Sequence, residues 1–407
     1  MRRPMGKILI LAAALGVLYA AYGVFERHQG AAIDPGWLDP DQIGDIALNL
    51  CRSGEFAERP GMPTLLRGPA FPGLLALPCL LTGVEPSRLA PILNGLCHAL
   101  TLVVLALHPV ARAAPARLAA LAVVGLDPLL FNYAGRTYLE PMLVLSVEMV
   151  LVAFEAVRRR AGIGAALALG AALGFSLLVK PILLYFLPLM LLVLVPSGLR
   201  AVRAGAVAVL VAGLCVLPWT LRNHAVSGQY VPVATGAWEI VLKGETFSRH
   251  MTEAYGIMPL EALAKERLAA LNARLGIAGL SAVEREPYYR AVAIDELRHP
   301  IWSLPHRMAI QSVALWLLGG DRRNTLVFAA LQLPVLLLAI LAVWRLRAFA
   351  PNDLVGIGAL AGYLILVHSA TLAIARYSMP LRPWLVLLAA LAFIPRLRSG
   401  GLSDARA

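Results

Sequence analysis

Acids are scarce in this chain. Asp and Glu number 24 among 407 residues against 36 Lys and Arg, and the four charged types together reach only 15%. A soluble domain carries about a quarter of its residues as charges, so the deficit excludes an ordinary water-facing surface. Cysteine is rarer still: four residues, at no metal-binding spacing. Cys97 and Cys215 fall in apolar runs and read as packing residues, whereas Cys51 and Cys79 share one polar segment and could pair as a disulfide. There is no Gly-rich phosphate loop, internal repeat, low-complexity linker or His-rich ligand set, and strand-like alternation is scarce.

What is abundant is apolar. Hydrophobic residues make up 59% of the chain and the mean hydropathy is +0.73, values that belong in a bilayer, where about 20 apolar residues span the hydrocarbon and a helix satisfies its own backbone. Ten segments qualify as expected spans: 7–25, 89–108, 115–132, 137–156, 162–179, 182–196, 203–219, 325–345, 354–374 and 378–395. The first follows basic residues as a signal peptide would, but its apolar run is long for one and it reads as an uncleaved helix.

Alternate connections are basic. With the N-terminus inside, the inner segments hold Arg2, Arg3 and Lys7; Arg112 and Arg117; Arg158, Arg159 and Arg160; Arg200 and Arg203; Arg345 and Arg347; and Arg396, Arg398 and Arg406, with Asp353 and Asp404 as their acids. That bias obeys the positive-inside rule and puts both termini in the cytoplasm. It also accounts for much of the net charge of +12: the excess orients the chain and meets anionic lipid, and it does not argue for nucleic acid.

The sequence therefore divides into a first transmembrane helix (1–25), an outer loop with amphipathic helices (26–88), a six-helix transmembrane block (89–219), an outer helical segment (220–324) and three C-terminal spans with a tail (325–407). In the outer loop, Asp39, Pro40 and Asp41 look like a helix start, with Ile43, Ile46, Ala47 and Leu50 as one apolar stripe, and a second short helix is expected near 72–82. The outer helical segment is rich in good helix formers.

Four acids and several cations stand where chemistry could occur. Asp39, Asp41 and Asp45 are close enough to raise one another's pKa and to supply a general base, or Asp39 simply caps the helix while the other two favour its dipole. Glu140 heads the fourth span with Arg136 one turn before it, a functional acid or half of a local ion pair. Lys180 and Pro181 break an apolar hairpin and set a cation at the outer surface, to bind a lipid phosphate or to snorkel. Arg222 and Asn223 follow the interfacial Trp219 as planar donors, and Arg376 with Tyr377 occupies the last outer turn. Lys180, Arg222 and Arg376 would form one rim of cations beside the acids, suited to a reaction on an anionic lipid.

These elements, in this order, resemble the polytopic GT-C glycosyltransferases of the family-39 type, which include protein O-mannosyltransferases and the bacterial lipid A aminoarabinose transferase. DPDQIGDIALNL looks like the family's first outer-loop motif, LLRGPAFPGLLAL like its Arg-x-Pro-x-aromatic-Pro element, and TYLEPM like its Ser-Glu-Pro element. LPWTLRNHAVSGQYVPV resembles the Pro-Trp-x-x-Arg-Asn segment, AVAIDELRHPIWSLPHRM the outer helix ending in His-Pro, and ARYSMPLRP the final Arg-Tyr-x-x-Pro turn. Ile43 stands where the family usually has Tyr, Thr137-Tyr138-Leu139 precedes Glu140 where Ser is usual, and Lys180 replaces a frequent Arg.

The resemblance implies an all-α polytopic membrane enzyme, in a bacterial inner membrane with its site toward the periplasm or exterior. It would move a sugar from a polyprenyl-phosphate donor to a hydroxyl of a glycan, lipid or protein. Asp39 aligns best as the base of an inverting displacement and Asp41 second; Glu140 would orient the acceptor or a metal. Arg67, Lys180, Arg222, Asn223, Arg376 and Tyr377 would contact the donor and its phosphate. No cofactor is specified, and a divalent cation held by Asp and Glu stays open. A lipid transporter or flippase, with its polar residues in mid-span such as Asp127, Glu148 and Glu155, and a non-catalytic scaffold are the rival readings.

Overall fold

A computed structural model describes residues 2–33, 38–113, 117–254, 256–298, 303–346 and 351–393. Arg347, Arg396, Arg398, Asp404 and Arg406, and the His-Pro of the outer helix motif, lie outside the described residues. The protein is an α-helical membrane protein with one short β-hairpin among the described residues, Ala57–Arg59 paired antiparallel to Met62–Pro63.

Among the described residues, five helices are long and apolar enough to cross a membrane, over Met5–Gly30, Pro86–Leu107, Leu199–Ser227, Arg322–Arg345 and Asn352–Ala370. The other expected spans are shorter or more charged. Glu140–Arg160 has 21 residues but carries Glu140, Glu148, Glu155 and three arginines, and Ile163–Val179 has 17. The segment expected as 115–132 is interrupted: Arg117–Gly125 ends, and Asp127 then starts the short helix Pro128–Phe131 by accepting from the N–H groups of Leu129 and Leu130. The segment at 182–196 divides into a 3-10 turn, Pro181–Leu183, and the helix Phe186–Leu194. The last, expected at 378–395, opens as the 3-10 segment Ala375–Leu381 before Arg382–Ala392.

Small residues let these helices meet. A Cβ on Gly16 would lie 2.7 Å from that of Ala99, and one on Gly95 would lie 2.6 Å from the Gly16 carbonyl, so the first helix and Pro86–Leu107 touch backbone to backbone. Outward, Leu210, Leu214, Leu337 and Ile340 are each more than half exposed, as a lipid-facing surface requires. Inward lie polar groups: Arg382 and Asp127, 1% and 5% exposed, are joined by a guanidinium–carboxylate pair at 2.7 Å, and Arg382 also donates to Gln332. A charge in hydrocarbon needs such a partner.

Among the described residues, four helices stand between Leu199–Ser227 and Arg322–Leu346: Ala237–Ala254, Ile257–Leu275, Ala282–Arg298 and Ser303–Leu317. Phe247, Leu260, Ala264 and Leu315, from the first, second and fourth of these, form a core together with Leu372, Ala373 and Ile374, which arrive from far along the chain. Cys51 and Cys79 are disulfide-bonded, tying helix Ile43–Ser53 to Ala70–Thr82.

Candidate functional site

The acidic turn begins four residues before the helix it was expected to open. Gln42, in the left-handed region, precedes Ile43–Ser53, and the Asp39 side chain reaches forward to cap it: Oδ1 accepts from Ile43 N at 2.9 Å and Oδ2 from Gly44 N at 2.7 Å. Gly44 permits this approach, since a Cβ there would lie 2.8 Å from Asp39 Oδ2. Asp39 is partly buried, and its carboxyl is raised to about 6; burial is the main cause, the Gly44 and Ile43 bonds oppose it, and Asp45 and Asp41 add to it. Asp45 itself is exposed in the first turn.

Asp41 is in a different environment. Its Oδ1 accepts from Arg67 Nη2 at 3.2 Å and its Oδ2 from Arg376 Nη1 at 3.1 Å. Burial works against its ionised form, but Arg376, Arg67 and Lys180 together outweigh that and hold the carboxyl below the ordinary Asp value. The expected mutual raising of the three acids thus holds for Asp39 and fails for Asp41, because cations surround the second. Arg376 also pairs through Nε with Glu140 Oε1 at 3.2 Å, and Glu140 is 3% exposed. Its second oxygen, Oε2, finds no hydrogen-bond partner among the described residues, and Glu140 lines a small cavity with Tyr19, His98, Thr101 and Tyr133.

Local packing brings the cations together. Arg67 precedes Gly68, where a Cβ would lie 2.3 Å from the Leu178 carbonyl and 2.7 Å from that of Val179, so the 64–68 loop sits on the end of Ile163–Val179 next to Lys180. Lys180 Nζ stands 4.2 Å from the centre of the Tyr377 ring, and the Arg376 guanidinium is 4.9 Å from the Tyr138 ring and 5.6 Å from Tyr377. Tyr138 is a site residue whose signal in the sequence is its place two residues before Glu140 in TYLEPM. Arg136 lies about 6 Å above the Tyr133 and Tyr138 rings and donates to Asn132.

Two expected phosphate contacts are used elsewhere. Arg222 donates to the carbonyls of Thr64 and Phe56, at 2.9 and 3.0 Å, and to Asn223 Oδ1, while lying 4.8 Å from the Trp219 ring. Asn223 is fully buried and donates to the carbonyls of Val231 and Val233. Both residues fasten the loops to Leu199–Ser227, since unpaired buried carbonyls would be costly. The rim of cations is therefore Arg67, Lys180 and Arg376, with Arg67 in the place expected for Arg222.

The donor set for a divalent cation is thin. Among the described residues no three His, Cys, Asp or Glu side chains converge, and Asp41 and Glu140 each have an arginine partner.

No family sequence model matches the chain, and no curated protein matches it in sequence. Its structure is similar to that of the archaeal oligosaccharyltransferase AglB from Archaeoglobus fulgidus, solved with an inhibitory peptide and a dolichol-phosphate. The TM-score is 0.53 at 15% identity, over 94% of this chain and 50% of that one. This chain thus spans about half the length of the archaeal protein. ArnT from Cupriavidus metallidurans gives a TM-score of 0.39 at 17% identity in the apo state, over 87% of this chain and 72% of that one. Bound to undecaprenyl phosphate it gives 0.41 at 18% identity, over 93% and 77%. The likeness shows a fold shared with the archaeal oligosaccharyltransferase.

Proposed function

We propose that the protein is a membrane glycosyltransferase that moves a sugar from a polyprenyl-phosphate-linked donor to an acceptor hydroxyl at the outer face of the membrane. The observation that carries this reading is the division of labour between two acids two residues apart. Asp41 is held ionised among Arg67, Lys180 and Arg376, while Asp39, raised to about 6, is able to take a proton near neutral pH. The fold shared with the archaeal oligosaccharyltransferase supports the reading. The Cys51–Cys79 disulfide supports an outward-facing site, because such bonds persist in oxidising compartments.

In this mechanism the donor phosphate lies against Arg67, Lys180 and Arg376, which stabilise the negative charge it gains as the glycosidic C–O bond breaks. The acceptor oxygen attacks the anomeric carbon from the opposite side and inverts it, and its proton passes to Asp39. Glu140 and Tyr138 hold the Arg376 guanidinium in place. A glycan, a lipid or a protein could supply the hydroxyl, and a bacterial inner membrane is the proposed location. A transporter would need free polar groups in mid-span. Of the three mid-span acids, Asp127 and Glu155 are instead bound to Arg382 and Arg158, and Glu148 alone is buried with no hydrogen bond to either carboxylate oxygen among the described residues.

The test is a transfer assay in which purified protein in liposomes receives polyprenyl-phosphate sugars labelled in the sugar, together with an envelope extract from cells lacking this chain. Sugar should move to an extract component and polyprenyl phosphate should be released. Donor binding without transfer, across donors and extracts, would overturn the reading in favour of transport.

A further inference from the structure

The turn that brings Arg376 to the site is fastened from outside the membrane bundle. Between the end of Val355–Ala370 and the start of Ala375–Leu381 runs a short strap, Thr371 to Ile374. The Thr371 N–H and the Leu372 carbonyl bond back to Val367 and His368 of the bundle, while other polar groups of this stretch meet the outer helices. The Thr371 carbonyl accepts from Arg307 Nη2 at 2.7 Å, the Ala373 N–H donates to Gln311 Oε1 at 2.7 Å, and the Ala375 N–H donates to the Leu318 carbonyl at 3.1 Å. Leu372, Ala373 and Ile374 sit in the core of the outer helices. Contact is close enough that a Cβ on Gly244 would come within 1.7 Å of the Thr371 oxygen.

Arg307 and Gln311 are one turn apart on Ser303–Leu317, 3% and 0% exposed, and each is anchored on its other side to Ala237–Ala254. Arg307 bonds the Val241 carbonyl and Glu245, and Gln311 Nε2 donates to the Gly244 carbonyl at 2.8 Å and to Ser248 Oγ at 2.9 Å. Burying a guanidinium and an amide is costly unless their donors find partners. Here the partners fix one piece of backbone, and the next residue after that piece and Ala375 is Arg376.

We propose that Arg307 and Gln311 are positioning residues for the transfer reaction: they clamp the 371–374 strap to the outer helices and so set the place of Arg376 between Asp41 and Glu140. The proposal rests on the glycosyltransferase reading, in which Arg376 binds the donor phosphate. It gives the outer helices a role in the donor site without any contact to the donor. A misplacement of about 1 Å can cost on the order of 100-fold in rate when orientation matters, so losing the clamp should be felt at the phosphate.

A double-mutant cycle read by affinity for a polyprenyl phosphate in detergent tests it. Arg376→Gln should weaken binding about 10- to 100-fold, as loss of a charge-assisted bond does. Gln311→Leu, which keeps the volume and strands the Ala373 N–H, should weaken it about 10-fold. In the Arg376→Gln background, Gln311→Leu should add less than about 2-fold, because its effect passes through Arg376. Additive losses, or full affinity in Gln311→Leu while Arg376→Gln is weakened, overturn the proposal and leave the function intact. Unchanged affinity in Arg376→Gln itself instead overturns the phosphate site. Should Gln311→Leu fail to fold, Arg307→Lys takes its place in the same cycle, since it keeps the charge opposite Glu245 and loses the fork that holds Thr371.

Discussion

Replacing Asp39 by Asn separates the cap that the geometry shows from the general base that is proposed. As a cap, Asp39 accepts one N–H on each oxygen, from Ile43 and Gly44. Asn has a single acceptor oxygen, so one bond survives and the other N–H meets an amide, for a loss on the order of 1 kcal/mol. Ionisation works the other way. The folded-state carboxyl titrates at about 6, above the 3.8 of an ordinary Asp, so the folded protein binds this proton more tightly than the unfolded chain. The stabilisation present below pH 3.8 is lost as pH rises through about 6. Asn never ionises and escapes that loss, which offsets the missing bond. Thermal stability at pH 7 should therefore change little.

As a base, Asp39 has no substitute in Asn. General base catalysis contributes about 100- to 10,000-fold, and the transfer rate should fall by that much. The wild-type kcat/KM should decline tenfold per unit below pH about 6, where Asp39 becomes protonated, and this limb should vanish in the residual activity of the variant. The assay is single-turnover release of polyprenyl phosphate from labelled donor between pH 4.5 and 8.5, with folding checked at each pH. Full turnover in Asp39→Asn would refute the assignment. If Asp41→Asn then loses activity, the base is two residues further on; if both retain wild-type rates, the proposed mechanism fails.

Arg222→Gln should differ in kind from Arg376→Gln: it strands the Thr64 and Phe56 carbonyls and should lower stability by about 1–3 kcal/mol. Its donor affinity, measured in the folded fraction, should be unchanged, and a loss as large as that of Arg376→Gln would restore Arg222 to the rim. Cys51→Ser opens a loop of 28 residues and should cost about 2–4 kcal/mol, read as a lower Tm without reductant and no difference with it. Orientation is tested with an impermeant thiol reagent on intact cells carrying Cys215→Ala. Single cysteines at the exposed Arg59 and Ala269 should react while one at Arg160 should not, and the opposite pattern would invert the topology.

The helical membrane architecture was legible because hydropathy is local: a run such as 203–219 declares itself without reference to any other part of the chain. Interruptions were harder. Asp127 looked like an acid in the middle of a span, and only the fold shows that it caps Pro128–Phe131 and holds Arg382. The acids and cations of the site were legible as residue types at one depth, but their pairing was not. Asp41 and Arg376 are 335 residues apart, and nothing in either neighbourhood says that they meet. Arg222 illustrates the converse. Its motif marks it as a donor, while the acceptors it finds are backbone carbonyls set by how the 56–64 loop folds back on its helix.

The charge pattern of the rim also bears on why two acids sit so close to a phosphate site. In the proposed reaction the leaving polyprenyl phosphate gains one negative charge as its bond to the sugar breaks, and the acceptor gives up one proton. If that proton goes to Asp39, the site loses a negative charge on Asp39 while gaining one on the phosphate nearby. The sum around Arg67, Lys180 and Arg376 does not change, so no counter-ion has to enter and little reorganisation accompanies the step. Asp41 cannot take that part, because the same cations that would stabilise the phosphate hold its proton off. Its part is to keep Arg67 and Arg376 apart and aimed before the donor arrives. In the proposed reaction, the opposite pKa shifts, caused by burial at Asp39 and by guanidinium contacts at Asp41, would allow neighbouring carboxylates to act as base and as scaffold in one step.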